Sequence, residues 1–145
     1  MAFVNPSTEE IRTLLTRART VAVVGLSPEP DRPSHKVASA LQGFGFRIIP
    51  VHPMAREILG EKVYPDLASV PEQIDLVDVF RAPEQVDEVI DACIALRVPA
   101  VWLQDGVINE PAAQRAREAG LTVIMDRCVY RDVAQLFDAA PRSAP

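Results

Sequence analysis

The sequence predicts an α/β fold, a single domain built on an open parallel sheet with helices on both faces. Three observations lead there. Short β-branched runs such as Val21-Ala22-Val23-Val24 are apolar at every position, which suits strands buried on both sides. Segments with apolar residues at helical spacing separate these runs, and parallel neighbours need such crossovers. A chain of 145 residues with 48% hydrophobic content is long enough for one buried core and too short for two ordinary domains.

The elements follow in order. Ser7-Thr8-Glu9-Glu10 is a capping box, and Ile11, Leu14, Leu15 and Ala18 follow at helical spacing, so a short helix within residues 1–19 packs ahead of the first strand. That strand covers residues 20–26. Val37, Ala38, Leu41 and Phe44 make one face of a helix over residues 34–43, and a second strand covers 46–51, ended by His52-Pro53. Residues 54–71 are rich in turn signals, with 62–64 as a short third strand. A fourth strand covers 75–80. Val86, Val89, Ile90, Cys93 and Ile94 then form a helix stripe, with Pro83 near its start and Glu84 and Asp87 in its first turn, where carboxylates favour the dipole. Residues 99–104 read as a strand, 109–119 as a helix stopped by Gly120, 121–125 as the last strand and 130–137 as a terminal helix. The domain proper thus spans 20–138, and residues 139–145 read as a flexible tail.

Open sheets of this kind bind ligands beyond the carboxyl ends of their strands. The rule selects the loops at 25–36, 51–53, 80–83, 104–106 and 126–128. The first is the most informative. Gly25 ends a buried run, and the loop carries Pro28, Pro30 and Pro33, which limit its freedom and the entropy lost on ordering it around a ligand. Ser27, Ser34 and the first free amides of the next helix can donate to phosphate oxygens, while Arg32, His35 and Lys36 add positive charge. A dinucleotide fingerprint requires Gly-x-Gly-x-x-Gly and an acidic residue closing the second strand; here Gly25 stands alone and that strand closes with Val51-His52-Pro53. The Walker A pattern is also missing.

Composition narrows the partners. A net charge of −5 excludes a broad basic face for nucleic acid, so an anionic ligand must be held by a local cluster. No apolar run reaches the roughly 18 residues of a membrane span. The amino terminus lacks a signal-peptide pattern, so a cytoplasmic protein is expected. Cys93 and Cys128 match no metal or redox spacing; with His35, His52 and Asp126 they give no ligand pattern, and no metal is expected.

Five blocks in fixed order carry a resemblance: Val23-Val24-Gly25-Leu26-Ser27-Pro28, Ile49-Pro50-Val51-His52-Pro53, Gly60-Glu61-Lys62-Val63-Tyr64-Pro65, the run from Asp75 to Pro83, and Val101-Trp102-Leu103-Gln104-Asp105-Gly106. They resemble the small stand-alone CoA-binding proteins of bacteria, which are similar to the CoA-binding domain of the succinyl-CoA synthetase α-subunit. The resemblance covers residues 20–128 and implies a Rossmann-like fold with coenzyme A or an acyl-CoA across the carboxyl edge of the sheet. It implies phosphate contacts at Gly25, Leu26, Ser27, Pro28, Ser34 and His35, with Arg32 and Lys36 as cationic partners. It puts the adenosine side at Val51, His52 and Pro53, and flanks the ligand with Phe80, Arg81, Ala82 and Gln104. It carries no ligase activity, because neither histidine sits in a motif matching the synthetase's phosphorylated one. The expected role is noncovalent binding, with a homodimer or a larger enzyme as the macromolecular partner.

The remaining residues have simpler readings. Cys93 lies on an apolar helix face and reads as core. Cys128 and Asp126 are the groups an enzyme acting on a CoA thioester would use, which is the first alternative; a nicotinamide-nucleotide module is the second. Asp78, a carboxylate inside an apolar strand, must either face the ligand crevice or pair with a loop donor. Trp102 reads as core, with ligand contact as the alternative.

Overall fold

The computed structural model describes residues 3–137. The tail expected at 139–145 lies outside the described residues. Helix α1 (Thr8–Arg17) begins as the capping box requires, with the Glu10 N–H donating to Ser7 Oγ at 3.1 Å. Strand β1 (Thr20–Val24) stops two residues earlier than expected, because Gly25 takes φ +86° and turns the chain. Helix α2 (Pro33–Gly43) and strand β2 (Arg47–Val51) follow.

The expected third strand is a correction. Residues 57–62 form a small antiparallel hairpin of β3 (Glu57–Ile58) and β4 (Glu61–Lys62), and the ladder contact of residues 62–64 with β2 is a single parallel bridge from Tyr64 to Val51. The Tyr64 N–H donates to the Pro50 carbonyl and its own carbonyl accepts from His52 N–H, both at 3.0 Å. Prolines limit the pairing: Pro50 offers this edge no N–H, and Pro65 ends the segment.

Strand β5 (Leu76–Val79), helix α3 (Val86–Leu96), strand β6 (Ala100–Leu103), helix α4 (Glu110–Glu118), strand β7 (Thr122–Ile124) and helix α5 (Val129–Leu136) complete the chain. The five long strands pair in the order β2-β1-β5-β6-β7, every pair parallel. Alternate side chains serve two cores. Ala22, Val24, Val77 and Val79 pack with Ile90 and Cys93 of α3 and with Ala112, Ala113 and Ala116 of α4. Val21, Val23, Leu76 and Trp102 pack on the other face with Ile11 and Leu15 of α1, Leu41 of α2 and Val133 of α5. Helices therefore cover both faces, and Cys93 is core; burial pushes its thiol up to about 12.

The β7 edge is closed by a side chain. Asn5 Nδ2 donates to the Met125 carbonyl at 3.0 Å, and Met125 N–H donates to Asn5 Oδ1 at 2.8 Å, so one carboxamide imitates a strand residue. Asn5→Ala would leave both backbone groups without these partners. It is expected to destabilise the protein by ~1–3 kcal/mol in urea denaturation, and a loss below about 0.5 kcal/mol would contradict this role.

Candidate functional site

The strand order places β1 at the point where the chain changes direction. It runs from β1 through α2 to β2 on one side, then returns to β5 on the other, and such a switch point opens a crevice at the carboxyl ends. Here the crevice floor is very tight. A Cβ added to Gly25 would lie 2.2 Å from the Phe80 carbonyl oxygen, so only glycine lets the two strand ends meet. Gly25 N–H donates to the Val51 carbonyl at 3.1 Å and Phe80 N–H to the Val24 carbonyl at 2.9 Å, tying the ends of β2, β1 and β5 together.

The loop after Gly25 is held through one peptide. Ser27 N–H donates to Ser34 Oγ at 3.0 Å, and His35 Nδ1–H donates to the Ser27 carbonyl at 2.9 Å. Glu29 N–H donates to Ser27 Oγ at 3.1 Å, leaving the Ser27 hydroxyl proton for another acceptor. Ser34 and His35 thus brace the loop as well as bordering the site. Helix α2 starts at Pro33 with no side-chain cap and no acidic residue in its first turn, so its positive end is left for a ligand.

Two cavities flank the Gly25–Phe80 junction. One, of about 390 Å³, is lined by Gly25, Ser27, Arg32, Ser34, Phe80 and Gln104, with Cys128 on its wall. The other, of about 270 Å³, brings Val51 and Arg81 together with Pro65, Leu67, Gln85 and Val89. The remaining expected residues lie around these. Leu26 is 0% exposed and contributes packing. Pro28, Lys36, Pro53 and Ala82 are exposed on the surrounding loops and on α2, and His52 is half-buried after β2.

Gln104 is only 4% exposed. Its Oε1 accepts from Val129 N–H at 3.1 Å, and its amide nitrogen has no partner among the described residues. The loops beyond are cross-braced: Arg127 grips Asp132 through two bonds of 2.6 and 2.7 Å, Arg131 pairs with Asp105, and Asp126 Oδ1 accepts from Gly106 N–H at 2.8 Å. Asp126 stands at φ +57°, an uncommon backbone for a residue with a Cβ. Arg32, Lys36 and Arg81 make no ion pair among the described residues, whereas Arg47, Arg115, Arg127 and Arg131 are all paired with carboxylates.

Neither expectation for Asp78 holds. It shares the sheet face of Leu76, its cross-strand neighbours are Val23 and Trp102, it is 0% exposed, and neither oxygen has a hydrogen-bond partner. Burial holds its carboxyl well above the usual carboxylate range. Trp102 is core, its Nε1–H donating to the Arg127 carbonyl at 2.7 Å.

A cavity of about 560 Å³ opens at the opposite, amino-terminal edge of the sheet, beside α1. Its walls carry Glu9, Glu10 and Asp75 against one cation, Arg17, a net acidic lining that suits an anion poorly, and Asp75 Oδ2 is already used by the Arg19 and Thr20 N–H groups at 2.9 Å. Among the described residues no group of three or more His, Cys, Asp and Glu side chains is arranged to hold a metal, and no helix is long and apolar enough to cross a membrane.

A CoA-binding domain family model matches residues 19–134. The chain belongs to the CoA-binding domain family. It is 46% identical over 125 residues to the uncharacterised protein YneT of Bacillus subtilis (strain 168), covering 86% of this chain and 93% of that one. Acetate–CoA ligase [ADP-forming] I of Archaeoglobus fulgidus is 31% identical over 75 residues, 52% of this chain but 11% of the ligase. Among solved structures, a hypothetical protein from Pyrococcus horikoshii OT3 superposes with TM-score 0.88 at 35% identity, covering 94% of this chain and 99% of that one. An acetyl-coenzyme A synthetase 1 from Ca. Korarchaeum cryptofilum, solved with phosphate and ADP, gives 0.66 at 26% identity, covering 74% of this chain and 25% of the synthetase. The Rossmann-like fold of the CoA-binding domain is therefore shared with small stand-alone proteins and with part of larger synthetases.

Among the residues lining the two cavities, sequence reasoning gave no ligand-binding role to Asp105 and Val107 in the first, or to Pro65, Leu67, Gln85 and Val89 in the second. The loop after β6 was itself selected by the edge rule, and that signal reaches Asp105. Val89 lies on α3, where helical spacing marks it only as apolar, and Leu67 lies in the turn-rich segment 54–71, where no spacing marks it.

Proposed function

We propose that this protein binds coenzyme A or an acyl-CoA noncovalently at the carboxyl edge of its sheet, as a carrier, sensor or partner of a larger enzyme, without ligase activity of its own. The observation that carries the reading is the arrangement of two cavities on either side of one phosphate-suited corner. In this reading the pyrophosphate lies over Gly25, accepting from the Ser27 hydroxyl and the start of α2, with Arg32 and Lys36 as counter-charges. The adenosine enters the cavity beside Val51 and Arg81, and the pantetheine arm enters the cavity beside Phe80 and Gln104, whose free amide nitrogen suits a pantetheine carbonyl. The family membership supports the ligand class.

Chemistry on the thioester would need an acid–base group working with Cys128. Asp126 Oδ1 accepts from Gly106 N–H and so serves the 104–106 loop, and binding without turnover is the reading proposed here. A nicotinamide dinucleotide is disfavoured by the solitary Gly25 and by His52 at the β2 end.

The double variant Arg32→Ala/Lys36→Ala tests the corner. It is expected to weaken CoA and dephospho-CoA alike, by about 10–100-fold, to leave pantetheine nearly untouched, and to flatten the salt dependence of binding. Equal losses for pantetheine would mean that the loop acts through structure alone.

A further inference from the structure

Both peptide units around Cys128 are held by side chains from the end of β6. Trp102 Nε1–H donates to the Arg127 carbonyl at 2.7 Å, just before Cys128, and Val129 N–H donates to Gln104 Oε1 at 3.1 Å, just after it. The residue fixed in this way lines the cavity of about 390 Å³ beside Gly25 and Phe80. It stands at the N-cap of α5 and makes no side-chain cap bond. The two cysteines differ in setting. Cys93 is sealed in the core with α3 and α4, where burial pushes its thiol up to about 12, whereas Cys128 is 8% exposed and belongs to neither core.

Gln104 supplies an independent observation. It is 4% exposed and lines the same cavity. The bond from Val129 N–H uses its oxygen and so fixes the carboxamide's orientation, leaving Nε2 without a partner among the described residues. There the Asp78 oxygens are the fully enclosed side-chain polar atoms left unpaired, so the Gln104 Nε2 is open to the cavity that it lines. An unpaired amide N–H in a pocket calls for a carbonyl. The pantetheine arm of coenzyme A carries one near its end, in an amide separated from the sulfur by two methylenes.

We propose that Cys128 is a thiol-exchange site that takes up coenzyme A from CoA disulfide as a mixed disulfide, with Gln104 holding the last amide of the pantetheine arm. The proposal rests on the CoA reading and adds to it a covalent, reversible form of the bound ligand. The Cys128 thiolate attacks one sulfur of CoA disulfide. The disulfide's S–S bond breaks as the bond from Cys128 Sγ to CoA forms, and the other half leaves as CoA thiolate, which takes a proton from water in place of the one Cys128 gave up. One disulfide is consumed and one is made, so no further oxidant enters. An excess of small thiol reverses the exchange and releases CoA.

Intact-mass spectrometry tests this on the wild type, Cys93→Ser, Cys128→Ser and Gln104→Ala, each mixed with CoA disulfide or glutathione disulfide at equal concentration. Wild type and Cys93→Ser are expected to gain one CoA per chain, removed by dithiothreitol, and Cys128→Ser to gain none. In the wild type CoA disulfide should react about tenfold or more faster than glutathione disulfide, because binding positions its sulfur. Gln104→Ala should shrink that ratio to about threefold or less. A ratio is read because loosening of Cys128 itself changes both rates alike. Peptide mapping of the labelled wild type locates the bond without a variant, so the test survives a variant that fails to fold. In a protein that binds CoA by calorimetry, no adduct, an adduct on Cys93, or equal rates with the two disulfides would overturn the proposal and leave the CoA reading standing. A ratio unchanged in Gln104→Ala would overturn the role of Gln104. A wild type that binds no CoA in calorimetry would remove the CoA reading and this proposal with it.

Discussion

Gly25→Ala is expected to destabilise the protein by ~2–5 kcal/mol and to abolish coenzyme A binding, because two separate penalties fall on one methyl group. The first is backbone conformation: φ is +86° at Gly25, a region that L side chains rarely adopt. The second is space. The new Cβ would lie 2.2 Å from the Phe80 carbonyl oxygen, a backbone atom that cannot swing aside. To relieve the contact, the ends of β1 and β5 must separate, which moves the two cavities apart and breaks the corner between them. Gly43→Ala is the control. Its added methyl meets nothing within 4 Å, and its stability should stay within about 1 kcal/mol of wild type. Guanidinium denaturation of both variants checks the prediction, and a Gly25→Ala protein as stable as the control would refute the close-approach argument.

Replacing Asp78 is expected to stabilise the protein. Asp78→Val exchanges a carboxyl with no hydrogen-bond partner for a side chain matching its cross-strand neighbour Val23, and should gain ~1–3 kcal/mol at neutral pH. Asp78→Asn separates the charge from the shape. In the unfolded chain an aspartate ionises near pH ~4. In the folded protein burial holds the Asp78 carboxyl well above that range, so it stays neutral as the unfolded form releases its proton. The unfolded state is then favoured increasingly as pH rises from about 4 toward the raised folded value, and stability falls across that window. Below it Asp78 is neutral in both states and contributes no pH dependence. Asp78→Asn should therefore lose less stability than wild type between pH 4 and neutrality in urea denaturation at stepped pH. Parallel curves for the two proteins would mean that Asp78 finds a partner in solution. Trp102, its other cross-strand neighbour, is the chain's single tryptophan and a natural fluorescence reporter for these measurements.

Much of this architecture was legible in the residues because both faces of the sheet are buried. Runs such as Val21–Val24 and Val101–Leu103 have to be strands between two helical layers, and the stripe Val86, Ile90, Cys93 has to be a helix facing one of them. Edge features were harder to read. The strand expected at 62–64 survives only as the Tyr64 bridge, and because β3 and β4 pair through mostly polar residues no periodicity announces their hairpin. The Asn5 clamp on Met125 joins groups 120 residues apart, and nothing local marks it.

The site divides in the same way. The loop sequence marked Gly25, Ser27 and Arg32, and the structure brings them to one cavity with Phe80 and Gln104 from two other strand ends. The second cavity depends on how α3 packs beside Val51 and Arg81, which spacing alone does not specify. Asp78 was marked as anomalous by its apolar neighbours in β5, but its lack of a partner is a property of the packed face.

Isothermal titration of the purified protein with coenzyme A, with NAD and ATP at the same salt as controls, tests the central claim most directly. Saturable binding of CoA that neither control displaces is the expected result. No heat of binding with CoA, or a preference for NAD, would contradict it and mean that the fold has been kept without the ligand.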